Sequence, residues 1–178
     1  MRSKLTEHRG FSLSELLVTV VIVSLLSIMI ATGVRASLNS YKKVTDEANA
    51  EVLLSTCASM LRNELSTAVE ITAEDNCIVF RQSGSGCKVS LRSISMDGAG
   101  GPVQICLGSV GVNPETGSES ITSERPFISQ VTGTEGLFVS FDEISYTDEC
   151  VTIKGLAVRK KDSDRKLSEL PVLVINNM

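Results

Sequence analysis

From Phe11 to Val34 the sequence FSLSELLVTVVIVSLLSIMIATGV runs for 24 residues with a single charge, Glu15. As a helix rising 1.5 Å per residue it extends about 36 Å, enough to cross a bilayer core of about 30 Å. A carboxylate at mid-bilayer costs about 2.5–3.5 kcal/mol on insertion scales, and less toward the interface. Glu15 stands near the entrance of the run, where the cost is reduced but still asks for a reason. The run is also longer than the apolar region of a secretory signal, typically about 7–15 residues. Cleavage at Val34-Arg35-Ala36 would leave a soluble chain starting near Ser37, but an arginine disfavours that site.

Flanking charge sets an orientation. Arg2, Lys4 and Arg9 precede the run against Glu7 alone, which by the positive-inside rule holds the N-terminus in the cytoplasm and places the chain after Arg35 outside. Without the first ten residues, Lys and Arg fall from 17 to 14 and Asp and Glu from 21 to 20, a formal charge of −6. Such a balance gives no global attraction for nucleic acid or anionic lipid.

The five cysteines, Cys57, Cys77, Cys87, Cys106 and Cys150, all fall on the presumed outer side, where disulfides form. The head is expected to use Cys77, Cys87, Cys106 and Cys150 as possible staples, with at least one thiol of the five left over. No Cys-x-x-Cys spacing points to zinc or redox chemistry.

Composition divides the chain near residue 83. Between Phe11 and Ser83 there is one glycine, Gly33, and no proline, as a long helix requires. Past Arg35 the pattern turns amphipathic. Lys42 with Asp46 and Lys43 with Glu47 are opposite charges four apart. Leu54, Ala58, Leu61, Leu65 and Ala68 recur at helical spacing, with Cys57 and Met60 at the border of that face. One helix over 12–68 is predicted, about 85 Å long, with Gly33 as the place where it can bend.

Beyond residue 70 the period changes to two. Strands are predicted at 77–82 and 88–95 around Ser83-Gly84-Ser85-Gly86, then at 104–110, 137–146, 150–160 and 170–176. Residues 113–126 read as a polar loop. The expected fold class is α+β, a long N-terminal α-helix (transmembrane first half, amphipathic second half) packed against a C-terminal antiparallel β-sheet.

The residues Gly10-Phe11-Ser12-Leu13-Ser14-Glu15-Leu16-Leu17, after a short basic leader and before a long apolar run, resemble a type IV prepilin signal. The resemblance implies cleavage between Gly10 and Phe11 by a prepilin peptidase, N-methylation of Phe11, and assembly with other pilin subunits through the N-terminal helix. It divides the chain into a leader at 1–10, a transmembrane and filament-core helix at 11–34, its amphipathic continuation at 35–69 and an extracytoplasmic β-rich head at 70–178. The implied partners are the peptidase, other pilins, an assembly platform in the membrane, and lipid before assembly. The implied localisation is the cytoplasmic membrane, single-pass, followed by a cell-surface or periplasmic filament.

The residues supply the same role for Glu15 independently. A helix beginning at Phe11 carries a positive amine and unsatisfied N–H groups. In a staggered parallel bundle one chain's Glu15 meets a neighbour's Phe11 amine, and in lipid leaving either partner alone is costly. Ser14 stands where the family usually has a bulky aliphatic residue, and the family's proline partway down the helix is absent, with Gly33 near its place. These departures fit a minor pilin or pseudopilin of a pilus, competence or secretion system better than a major subunit.

Other chemistries have little to work with. The sole histidine, His8, lies in the leader, so the mature chain has no histidine triad or histidine metal site. The glycine stretches lack the Lys-Ser/Thr of a phosphate loop. Asp142, Glu143, Asp148 and Glu149 read as solvated strand ends rather than a cation site. No catalytic residue, metal or cofactor is expected. The basic stretch RKKDSDRK (159–166) would suit DNA phosphates, but no aromatic is interleaved for base stacking and a solvated turn is the plainer reading. The alternative to a filament subunit is a single-span, membrane-anchored extracytoplasmic binding domain.

Overall fold

The computed structural model describes residues 12–95, 102–112, 118–128, 136–161 and 163–177. It consists of one long helix followed by antiparallel sheets, an α+β architecture. Two compact units divide the chain, Met1–Val44 and Thr45–Met178. Helix α1 (Leu13–Ser66, 54 residues) contributes to both and passes through Gly33 without interruption.

Up to Val34 α1 is apolar on every side, and throughout the first unit it is exposed. Its most apolar window has a mean hydropathy of 2.6, and none of that window is buried against protein. A helix that is hydrophobic all round has to be covered by lipid or by other helices. In the second unit the same helix has one apolar stripe. Ala50, Leu53, Leu54, Cys57, Leu61 and Leu65 are buried, at steps of three and four. Cys57 sits at the centre of this stripe with no exposed surface, rather than at its border, while Met60 is 40% exposed.

The stripe packs on strands of two sheets. The first is a meander of β1 (Val69–Glu74), β2 (Cys77–Arg81), β3 (Lys88–Ser95), β4 (Val103–Val112) and β5 (Glu119–Pro126), in that spatial order. Ile78, Phe80, Val89, Leu91 and Ile105 form its core face. Asp75 and Asn76, both at positive φ, make the two-residue turn between β1 and β2, the twist that tight hairpins favour. The Asn76 amide also donates to the Asp142 carbonyl at 3.0 Å and accepts the Ile144 N–H at 2.7 Å, which ties this turn to the second sheet.

The second sheet is β6 (Leu137–Ser140), β7 (Glu143–Thr147), β8 (Cys150–Lys160) and β9 (Ser163–Asn176). β6 and β7 pair with successive halves of β8, and β9 covers its other edge. The stretch predicted as one strand at 137–146 is therefore two, broken at Phe141-Asp142. The break lies opposite Gly155, whose φ of +67° turns β8. Asp142 N–H donates to the Lys154 carbonyl at 3.0 Å across this kink. Val151, Ile153, Leu156, Val158, Leu173 and Ile175 complete the common core.

Residues 119–126, read as loop, form strand β5. Its residues are mostly exposed and Ile121 is its one large apolar side chain, so no alternation marks it. Ladder bonds to β4 hold it, together with ion pairs from Lys88 to Glu119 and from Arg92 to Glu124. Both pairs reach from β3 over β4. A Cβ on Gly108 would stand 2.5 Å from the Ser90 hydroxyl and 2.6 Å from an Ile121 methyl, so glycine leaves room beneath this bridge.

At its C-terminal end α1 has no basic residue and no following glycine. The Asn177 amide donates instead to the carbonyls of Leu65, at 2.9 Å, and Ala68, at 2.8 Å. The Leu65 carbonyl also accepts the Ala68 N–H, at 3.4 Å, so the helix end is closed by backbone and side chain together.

A Cβ at Gly155 would lie 2.2 Å from an Asp142 carboxylate oxygen in a left-handed backbone conformation. Gly155→Ala is expected to destabilise the fold by about 2 kcal/mol, lowering Tm by several degrees. Thermal circular dichroism of the full chain in detergent checks this, and an unchanged Tm would contradict it.

Candidate assembly segment and head surface

Gly10 and Phe11, the expected processing residues, lie outside the described residues. Description starts at Ser12, whose carbonyl accepts the N–H groups of Glu15, at 3.0 Å, and Leu16, at 3.1 Å. Glu15 is thus fixed in the first turn of α1, where the helix's positive end favours a carboxylate. Its side chain is exposed and has no ion pair among the described residues. Leu13, Leu16 and Leu17 around it are 84%, 58% and 60% exposed, so the carboxylate stands in an apolar surface.

Past Glu15 four hydroxyls interrupt the apolar run, and each is turned back onto the helix. Thr19 donates to the Leu16 carbonyl at 2.8 Å, Ser24 to Val20 at 2.7 Å and Ser27 to Val23 at 2.8 Å. Thr32 reaches the carbonyls of both Ile28 and Met29. Satisfied in this way, these groups do not need water, and the segment is less polar than its composition suggests.

The charges of the amphipathic part pair differently from the sequence expectation. Asp46 binds Lys160 at 2.5 Å, and Glu47 faces Arg165 at 3.7 Å, in place of Lys42 and Lys43. Ion pairs thus hold the β8–β9 hairpin to the helix. The basic stretch 159–166 is largely neutralised by the same pairing. Arg159 lies 3.5 Å from Asp142, and Lys166 bridges Asp142 at 3.6 Å and Glu169 at 2.6 Å. Of its five basic residues only Lys161 stands exposed without an ion pair among the described residues, which argues against a phosphate-binding tip. The Lys166 ammonium has its pKa raised, first by the hydrogen bond to Glu169.

Asp142 and Glu143 are likewise engaged, the latter with Lys154 at 3.0 Å. Asp148 and Glu149 form the tight turn between β7 and β8, both at positive φ. Among the described residues no group of three or more His, Cys, Asp or Glu is placed to hold a metal ion.

The five cysteines carry free thiols. Of the four expected as possible staples, Cys77 and Cys106 lie in one row across the first sheet, each opposite Arg92 from its own side. Two strand spacings put their Cα atoms about 9.6 Å apart, beyond the roughly 7 Å that a disulfide spans. Arg92 turns to Glu124 at 2.5 Å, and this hydrogen bond raises the guanidinium pKa further. Cys106 lies buried beside the pair. Burial chiefly, with Glu124 adding, pushes its thiol up to about 11 against the opposing effect of Arg92. Cys77 is raised by burial too, and the Cys57 thiol is pushed up to about 12 by burial alone. Cys87, which precedes β3, and Cys150, the first residue of β8, complete the set, and Cys87 is exposed. The sequence alone gives no sign of the Arg92–Glu124 bridge, because its partners are 32 residues apart.

Residues 6–31 match the family described as the prokaryotic N-terminal methylation motif. No curated protein and no solved structure matches the chain. The motif covers the segment that carries Glu15, and with the long apolar helix it supports a type IV pilin-like protein.

The thiolate is the nucleophile, so a raised pKa slows alkylation at any pH below it. In the reduced, folded chain at pH 8, N-ethylmaleimide is expected to modify Cys87 well before Cys57 and Cys106, which should react only in denaturant. Peptide mapping by mass spectrometry reads the order, and early labelling of Cys57 would contradict the core placement.

Proposed function

We propose that this type IV pilin-like chain is a structural subunit, a minor pilin or pseudopilin, of a type IV filament system. One observation carries the reading. A methylation motif leads directly into a helix that is apolar on every side and unburied, with a single carboxylate in its first turn. A plain anchor needs the apolar helix but has no use for the carboxylate.

The sequence of events follows from the chemistry. The basic leader holds the N-terminus inside, and a prepilin peptidase cuts between Gly10 and Phe11 and methylates the new amine. Lipid covers residues 12–34 while the subunit waits in the membrane. On assembly, other pilins' helices replace lipid around the segment. There Glu15 meets a neighbour's Phe11 amine, and the high cost of an unpaired charge in apolar surroundings fixes the register between subunits. The hydroxyls bonded within the helix make both environments acceptable. The head remains outside and presents its strands and ion-paired surface to whatever the filament meets. The departures at Ser14 and Gly33 favour the minor or pseudopilin rank.

Intact mass of the chain expressed with and without a prepilin peptidase tests this. The expected result is loss of residues 1–10 together with one added methyl group on Phe11, only when the peptidase is present. An uncut chain with both would instead support an anchored binding domain.

A further inference from the structure

Three cations follow the apolar run within nine residues, and the filament reading gives them no role. Arg35, Lys42 and Lys43 are all exposed, and none forms an ion pair among the described residues. The carboxylates nearest them in sequence, Asp46 and Glu47, are held by Lys160 and Arg165. The fold therefore removes the intrahelical partners that Lys42 and Lys43 would have had. Arg35 and Lys42, seven residues apart, share one face of the helix, and Lys43 is one position round from it.

Their height matches a particular layer. With residues 12–34 in the hydrocarbon core, Arg35 emerges at its boundary, and Lys42 and Lys43 lie about 12–14 Å beyond Val34 along the helix. The headgroup layers bring a bilayer from about 30 Å to about 40–45 Å in total. Long cationic side chains lean back toward that layer while their stems cover apolar surface. Tyr41, 73% exposed, lies in the same segment, and tyrosine is enriched at this interface. As a rule the far side of a single span carries fewer cations than the near side. Three unpaired cations there call for an anion.

We propose that Arg35, Lys42 and Lys43 form a binding site for the anionic headgroups of phospholipids at the outer face of the membrane, occupied while the subunit awaits assembly. The site rests on the membrane-stored stage of the reading above. The chemistry required of the ligand is a phosphodiester with net negative charge, as in phosphatidylglycerol and not in phosphatidylcholine. The net negative charge of the whole chain does not oppose this. Charges farther off than a screening length of about 8 Å contribute little, so three local cations decide the interaction.

Native mass spectrometry of the full chain, released from micelles holding equal phosphatidylglycerol and phosphatidylcholine, tests the site. The expected spectrum shows retained phosphatidylglycerol in excess. The preference should fall roughly fivefold for each cation neutralised in Arg35→Gln, Lys42→Gln and Lys43→Gln chains. Arg62→Gln with Lys161→Gln, which removes exposed cations from the second unit, should leave it unchanged. Helix content by circular dichroism identifies any variant that fails to fold. Equal retention of both lipids, or an equal loss in the control variant, would overturn the site. Self-association that depends on Lys42 and Lys43 without a lipid preference would assign the cations to a second copy and overturn it too. A chain that holds neither lipid nor detergent would instead remove the membrane-stored stage itself.

Discussion

A helix satisfies its own backbone, and residues 12–34, apolar and unburied, depend on that property wherever water is excluded. Past its first turn the backbone N–H groups of the run pair within the helix, and Thr19, Ser24, Ser27 and Thr32 add their hydroxyls to the helix carbonyls. The segment can therefore pass from lipid to a bundle of like helices without exposing an unpaired polar group. Glu15 is the exception, since no group in the described residues neutralises it. In the proposed assembly, that one unmet charge is what gives the segment a preferred neighbour.

The head meets the opposite demand, a unique structure in water from a chain with few aromatic residues. Burial supplies part of the answer, through a stripe of leucines on α1 against Val, Ile and Leu of two sheets. Polar devices supply the rest. Asn76 joins the sheets, Asn177 closes the helix end, and Lys160 and Arg165 reach the helix from the β8–β9 hairpin. Lys88 and Arg92 hold an otherwise polar edge strand by reaching over Gly108. Most of these pairs are partly solvated and each contributes modestly. Their number and separation in sequence define the arrangement more than any one of them strengthens it.

Local signals were legible in the sequence. The helix, observed at Leu13–Ser66, follows from the absence of breakers, and strands at Lys88–Ser95 and Cys150–Lys160 follow from alternation between turn residues. Glu15 was legible too, because one charge in an apolar run is conspicuous. The misses share a physical cause. β5 has no buried face to impose alternation, and the break at Phe141-Asp142 answers a kink in β8 that only pairing reveals. Lys42 with Asp46 looked paired because helical neighbours are the only partners a sequence displays. The competing Lys160 is 114 residues from Asp46 and becomes visible only in the fold. Cys57, expected at the border of its stripe, is central to it.

The account stands on the claim that Glu15 directs assembly and does nothing for processing or for the fold. Filament incorporation of a Glu15→Ala chain, measured in cells alongside the cut and methylated fraction of the same chain, tests it most directly. The account predicts normal cutting, normal residence in the membrane and loss of incorporation. Incorporation at the level of the unaltered chain would contradict it.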